Sequence, residues 1–439
     1  LTFTNDSAAA APQILQNGTG AFTISNSLAL TNAIAIGGTG SGGLALSGII
    51  SGTGTGLTLN NPNMTLTLSG ANTYTNLTEI DAGQLNINSA LGNSALNING
   101  GSIDTTTGAT ITASNFSVNL FSDFVFQGSG TLTLNNTNPS GKIGIRNGDK
   151  TITVNAGTLQ IRGMKLTDIG GTGGLTKAGA GTLQLNPNFS GNGINNYTGA
   201  TTINAGTLQE VVGNSTGNNI ISASSPLVMG GGILLISGGS NAFGQTFNGT
   251  TINPGASTAQ GWSHINQFLA LAAITRNVGG TINFVTQQTA PLSATNGYST
   301  STANTAGAIL GGWATFDGKD WVTNNGTNIV GLDSGSYTPD AWAAGNDTTV
   351  TTGSSPSPDS TTNSLRFATA GANAVILSGT NVITTGGILV TNNAGGSAPV
   401  ITGGTLEGAA GQDLVVIQTN TSAGLTIGSA IADNTTPPP

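Results

Sequence analysis

The chain has 439 residues, a formal net charge of −8 and a pI near 4.3, and charged residues make up only 6% of it against ~25% in ordinary soluble domains. An acidic chain this poor in Lys and Arg opposes phosphate-backbone binding, so no nucleic-acid partner is expected. The lack of cysteine excludes disulfides and thiolate metal sites, and fits an exported protein held by stacked hydrogen bonds.

Polarity comes instead from hydroxyls and amides. Hydrophobic residues still make up 36% and alternate regularly with polar ones, which separates this chain from disordered sequences. The longest clearly apolar run, Phe268–Ile274, is too short to span a bilayer, so no membrane insertion by this chain is expected. The start at Leu1, without methionine, reads as a mature or trimmed N-terminus.

From Leu1 to about Asn253 the sequence predicts strand after strand, separated by short turn signals. Within this stretch one phrase recurs at Met64–Ile87, Gly128–Ile161 and Ala178–Gln209. Each copy runs from an alternating segment through a Gly/Asn-rich turn to a closing Ala-Gly, then Thr or Gln, then Leu. In Thr182-Leu183-Gln184-Leu185 the period of two puts both leucines on one face. In the return phrase Ile203 and Leu208 face inward, and the break at Ala205-Gly206 uses a glycine conformation closed to other residues. One such rung cannot enclose an apolar interior, but rungs stacked at ~4.8 Å share a continuous core. The expected fold is therefore all-β, a right-handed parallel β-helix over residues 1–253, preferred to a sandwich or barrel because of the internal repeats and the scarcity of tight two-residue hairpins.

Between 254 and 364 the texture changes. All four tryptophans, Trp262, Trp313, Trp321 and Trp342, fall here, and the segment reads as a decorated or inserted stretch. Its FLALAAITRN portion is expected to be strand, and Gly353–Ser364 an exposed loop. The solenoid is expected to continue over 365–434, followed by a Pro-rich tail at 435–439 that cannot extend a ladder.

The three copies resemble the autotransporter-associated β-strand repeat of long bacterial surface proteins. The segments LALAAITRNVGGTINF, AILGGWATFDGKDWV and the stretch from Asn363 to Asn434 are similar to a module found between such repeats. The resemblance implies an extracellular location and a role in export and architecture rather than one chemistry. Asn76 stands where the repeat usually has glycine, and Gln84 where it has threonine. The outer-membrane barrel of a complete autotransporter is absent from the sequence, which points to a piece of something longer.

Chemistry-bearing residues are few. His264 is the single histidine, so two-histidine zinc sites are impossible, and no nucleophile-elbow motif accompanies it. Gly38, Gly40 and Gly43 match a dinucleotide fingerprint, but no βαβ unit surrounds them. Glu79 and Asp81 share a strand face and, with Arg146, are the candidates for a polysaccharide-degrading reading; the competing reading is a solvated outer face. Asp317-Gly318-Lys319-Asp320 reads as a tight turn, not a calcium loop. No cofactor, metal or catalytic residue is expected.

Charge placement carries more. Six of the nine basic residues, Lys142, Arg146, Lys150, Arg162, Lys165 and Lys177, cluster in sequence, as do Asp317, Asp320, Asp333, Asp340, Asp347 and Asp359. Complementary zones of this kind are candidates for contact between copies, with Lys142, Arg146 and Lys150 facing Asp317, Asp320 and Asp333; two unrelated solvated patches are the alternative. Trp313 and Trp321 are candidate glycan-stacking residues, although most such side chains fill cores. The sequence thus predicts a non-enzymatic extracellular solenoid acting as stalk or fibre subunit, with itself and surface polysaccharide as partners. A polysaccharide-binding or polysaccharide-degrading β-helix protein is the alternative.

Overall fold

The computed structural model describes residues 2–3, 12–92, 95–113, 117–137, 142–169, 172–186, 195–212, 218–238, 243–261, 267–286, 292–293, 295–305, 308–371 and 373–434. Trp262, His264 and the expected tail at 435–439 lie outside these residues. The described residues hold strands and two single-turn 3-10 helices, Ser334–Ser336 and Asn392–Ala394, and no α-helix. The fold is a parallel β-solenoid. It divides into two compact units, Leu1–Val228 with Gly232–Phe247, and Met229–Gly231 with Asn248–Pro439.

In the first unit the alternation read from the sequence becomes axial columns of side chains. Strands Ala109–Ala113, Thr131–Asn136, Thr158–Arg162, Thr182–Asn186, Thr207–Val211 and Ile233–Ser237 stack in parallel register. That register aligns Leu132, Leu159, Leu183, Leu208 and Leu234, all fully buried. The neighbouring inward column is Ile111, Leu134, Ile161, Leu185, Glu210 and Ile236. A second wall does the same with Ile80, Ile98, Leu120 and Ile145. Each buried aliphatic side chain contributes about 1.5–3 kcal/mol relative to exposure. A rung supplies only a few of them, so stability comes from the stack.

The Ala-Gly corner closes each repeat for a stereochemical reason. Gly83, Gly157 and Gly206 have φ of 96°, 59° and 61°, in the region that favours glycine. A Cβ at Gly206 would also lie 2.4 Å from the carbonyl oxygens of both Gly179 and Gly181 on the preceding coil. Only a residue without a side chain lets the corner turn and seat on the rung beneath it.

In the second unit parallel pairing links Thr250–Ile252 with Ile274–Arg276 and Gly255–Gln260 with Gly280–Val285. The FLALAAITRN segment is strand at Gln267–Ala270 and Ile274–Arg276, as expected. The pattern then breaks into antiparallel pairing. Ala314–Phe316 pairs with Asp320–Asn324, which pairs with Ile329–Gly331. The turn is the one expected at Asp317-Gly318-Lys319-Asp320, with positive φ at Asp317 and Gly318.

Parallel coils resume at Tyr337–Pro339 and continue through Asp347–Val350, Ser364–Phe367, Gly387–Val390 and Val415–Gln418. The irregular stretch is therefore shorter than the one expected over 254–364. Nor is Gly353–Ser364 wholly an exposed loop: Thr361–Thr362 pairs with Val382-Ile383, Ser354 bridges to Val375, and Asn363 and Ser364 are fully buried. Polar residues here are drawn inside by rung-to-rung hydrogen bonds, which composition does not reveal.

Candidate functional site

The outward positions carry the polar chemistry, and most of it is turned along the stack. Asn119 donates to Asn97, 22 residues earlier, at 2.8 Å, and Asn155 to Gln127, 28 residues earlier, at 2.9 Å. Gln184 donates to Gln209 at 3.0 Å, and Gln209 to Ser237 at 2.8 Å. Carboxylates do likewise. Asp104 accepts from the Gly128 and Ser129 amides, Asp123 from the Thr151 amide, and Asp149 from the Gly174 amide. Each such bond spans one coil, so the sparse acids act as clips between rungs.

This explains the fate of the candidate carboxylate pair. Glu79 and Asp81 do share an outer face of Thr78–Ile87, and both accept from the Nδ2 of Asn99, at 2.8 and 2.7 Å. Arg146 does not join them. Glu79 lies in register with Asn97, Asn119 and then Gly144, so three rung spacings, ~14 Å, separate it from Gly144 on the Arg146 strand. A groove of about 460 Å³, formed where the strand Leu57–Leu68 shifts register, is lined by Pro62, Asn63, Thr65, Asp81, Gln84 and Ser102 among others. Asp81 is the one ionisable side chain in that lining. No group of three or more His, Cys, Asp or Glu able to hold a metal occurs among the described residues.

The two charge zones resolve into individual roles. Lys142 is exposed and Arg146 half-buried. Lys150, a candidate for contact between copies, is 6% exposed, and its ammonium donates to the carbonyls of Asn147, Gly148 and Asp149. Lys177 is fully buried and bonded to the carbonyls of Ala178, Gly179 and Ala205. Burial pulls its ammonium down to about 8, against the pull of those three acceptors.

The acidic zone is committed internally. Asp317 accepts from the Thr286 amide at 2.9 Å, Asp333 from the Gly335 amide at 2.8 Å, and Asp359 from the Thr380 amide at 2.7 Å. Asp347 binds Asn363 and Ser364. Asp340 binds Thr351 and Thr352; burial opposes its ionisation, but these bonds outweigh it and hold its carboxyl below the usual range. Asp320 pairs with Arg366, whose guanidinium lies 3.3 Å from the centre of the Tyr337 ring. Arg276 pairs with Asp413 across the second unit.

Neither candidate glycan-stacking tryptophan offers a face. Trp321 is fully buried and Trp313 is 9% exposed. Trp321 packs with Ile309, Leu332, Tyr337 and Leu389 in the core that seats the antiparallel hairpin.

Three buried polar arrangements escaped the sequence reading. Tyr74 and Tyr197 are fully buried, and each phenol meets the hydroxyl four residues on, Thr78 at 2.6 Å and Thr201 at 2.7 Å. Glu210 is fully buried in an aliphatic column, with no hydrogen-bond partner for either oxygen among the described residues, and burial pushes its carboxyl up to about 8. Strict alternation in Thr-Leu-Gln-Glu-Val was the signal: it places Glu210 on the face of Leu208. The same count places Lys150 with Ile152, and Lys177 with Leu175.

Comparison with known proteins finds relatives by sequence. The passenger-associated-transport-repeat family matches residues 65–87, 127–161 and 175–209, which overlap the three recurring phrases to within three residues at their starts. The chain is 32% identical over 360 residues, 72% of its length, to the adhesin BmaC autotransporter of Brucella suis biovar 1 (strain 1330), of which the match covers 10%. No solved structure matches the chain.

Proposed function

Because this chain is an autotransporter-type passenger repeat protein of the cell surface, we propose that it works as a non-catalytic stalk whose outer faces make adhesive contacts. The observation that carries this reading is the commitment of outward polar groups to the neighbouring rung. Catalysis needs an acid and a base poised over a substrate, whereas Glu79 and Asp81 are both occupied by Asn99, and Asp104, Asp123 and Asp149 by backbone amides. A surface so arranged is rigid and presents fixed amide and hydroxyl rows, which suits support and contact. The adhesin named among its relatives points the same way.

Display of the chain on a non-adherent bacterium tests the proposal. Cells carrying it are expected to adhere to host-cell monolayers more than cells carrying a solenoid spacer of equal length, while the purified chain releases no new ends from polysaccharides. Equal adhesion by the two strains, or cleavage of polygalacturonate by the purified chain, would refute it. The opposed charge zones have no place in this proposal, since Lys150 is buried and Asp320 is paired with Arg366. Stacking of copies through strand edges is its fibre-forming variant. Sedimentation of the full chain tests that variant: mass rising with concentration supports it, and a constant monomer mass excludes it.

A further inference from the structure

Lys142 and Lys165 are Cα partners on adjacent parallel strands, Lys142–Arg146 and Lys165–Ile169, so their backbones lie ~4.8 Å apart. Ile143 and Leu166 beside them are buried, while Lys142 is exposed and Lys165 half-buried, which places both amines on the outer face. Like charges directly opposite each other in a sheet are destabilising. Neither lysine takes part in an ion pair among the described residues, where the pairs are Arg276–Asp413 and Arg366–Asp320.

Arg146 shares that face. Its Nε and Nη2 donate to Asn119 Oδ1 at 3.0 and 2.9 Å, and Asn119 is fixed in turn by Asn97. The guanidinium also lies 5.2 Å from the centre of the Phe121 ring. The group is held in place in advance and keeps donors to spare, since an arginine has five N–H groups. Gly144, between Lys142 and Arg146, carries no side chain, and Thr167 is its register partner on the next rung.

We propose that Lys142, Lys165 and Arg146 form a docking site for an anionic polysaccharide, recognised through its carboxylate or sulfate groups. This inference rests on the adhesive reading above and supplies its ligand class. Charge complementarity selects an anion. The acidic zone of a second copy is a weaker source of one, because Asp320 is neutralised by Arg366 and Asp317, Asp333, Asp340, Asp347 and Asp359 already accept hydrogen bonds within their own molecule. An anionic bilayer must approach broadly, against a chain of net charge −8, whereas a thin polymer reaches the cationic spot alone. The amide of Asn119 and the hydroxyl of Thr167 flank the cations and suit sugar hydroxyls.

Surface plasmon resonance on the full chain tests the site, with polygalacturonate and heparin as anionic probes, dextran as the neutral one and phosphatidylserine vesicles as the lipid one. Binding to at least one anionic polymer and not to dextran is expected, weakening as salt screens the charges. The double variant Lys142→Gln/Lys165→Gln should lose at least tenfold in affinity without a fall in Tm. Lys319→Gln, at an exposed lysine in the second unit, should bind as wild type. No binding to either anionic polymer, equal binding to dextran, an unaffected double variant, or binding confined to vesicles would overturn the proposal. If displayed wild-type chain confers adhesion that the double variant retains in full, the stalk reading survives and this site is not its adhesive determinant. If the purified chain binds through the lysine pair but display confers no adhesion, the site stands and the adhesive reading falls.

Discussion

Glu210 shows how a single residue sets the pH response of a stack. Its neighbours in register are Leu185 and Ile236, so ionisation would place an unpaired charge among aliphatic side chains. Its folded pKa of about 8 lies above the ordinary carboxyl value of 4.5. Between these values the unfolded chain has lost the proton that the folded chain keeps, so stability falls as pH rises through that window and levels off above it. Lys177 has the opposite sign. Its folded value of about 8 lies below 10.5, so its contribution to stability rises as pH climbs from 8 toward 10.5. The first unit is therefore expected to show a stability minimum near pH 8. Glu210→Gln should match wild type at pH 4.5 and exceed it at pH 8 by on the order of a few kcal/mol; chemical denaturation at the two pH values measures the difference. A variant curve parallel to wild type would show that Glu210 does not titrate as described. Three of the buried charged side chains, Lys150, Lys177 and Glu210, were legible by counting in twos. Chemical identity argued for the outside and hid what periodicity said.

At the scale of the element, the rung is defined by its corner. Gly206→Ala must adopt a left-handed φ and displace the carbonyls of Gly179 and Gly181, and should cost at least ~2 kcal/mol. Ala205→Ser, next to it, should cost far less; thermal unfolding of the two variants checks the contrast. The repeat phrase and its inward leucines were readable because alternation and glycine each have one physical meaning there. The hairpin turn at Asp317-Gly318 was readable for the same reason. What it docks on was not: Trp321 meets Leu389, and Thr419 bonds the Gly318 carbonyl, contacts between segments far apart in sequence. Composition left Trp313 and Trp321 open between glycan stacking and core filling, and the hairpin, which needs a core of its own, takes them inside. The buried pairs Tyr74–Thr78 and Tyr197–Thr201 recur in two of the three copies, and comparison of the copies position by position would have exposed them.

For the molecule as a whole, everything proposed depends on strands lying in parallel register on successive coils. That register brings Lys142 beside Lys165, keeps Glu79 from Arg146, and turns the asparagines and glutamines into axial rows. The absence of cysteine from the chain allows a direct test by paired substitution. Thr182 and Thr207 are register partners, whereas Thr182 and Val211 are not. Parallel neighbours ~4.8 Å apart fall within the Cα range a disulfide spans. Under mild oxidation Thr182→Cys/Thr207→Cys is expected to cross-link fully in the folded chain and Thr182→Cys/Val211→Cys to remain largely reduced; the reverse pattern, or no cross-link at the first pair, would contradict coil-on-coil stacking.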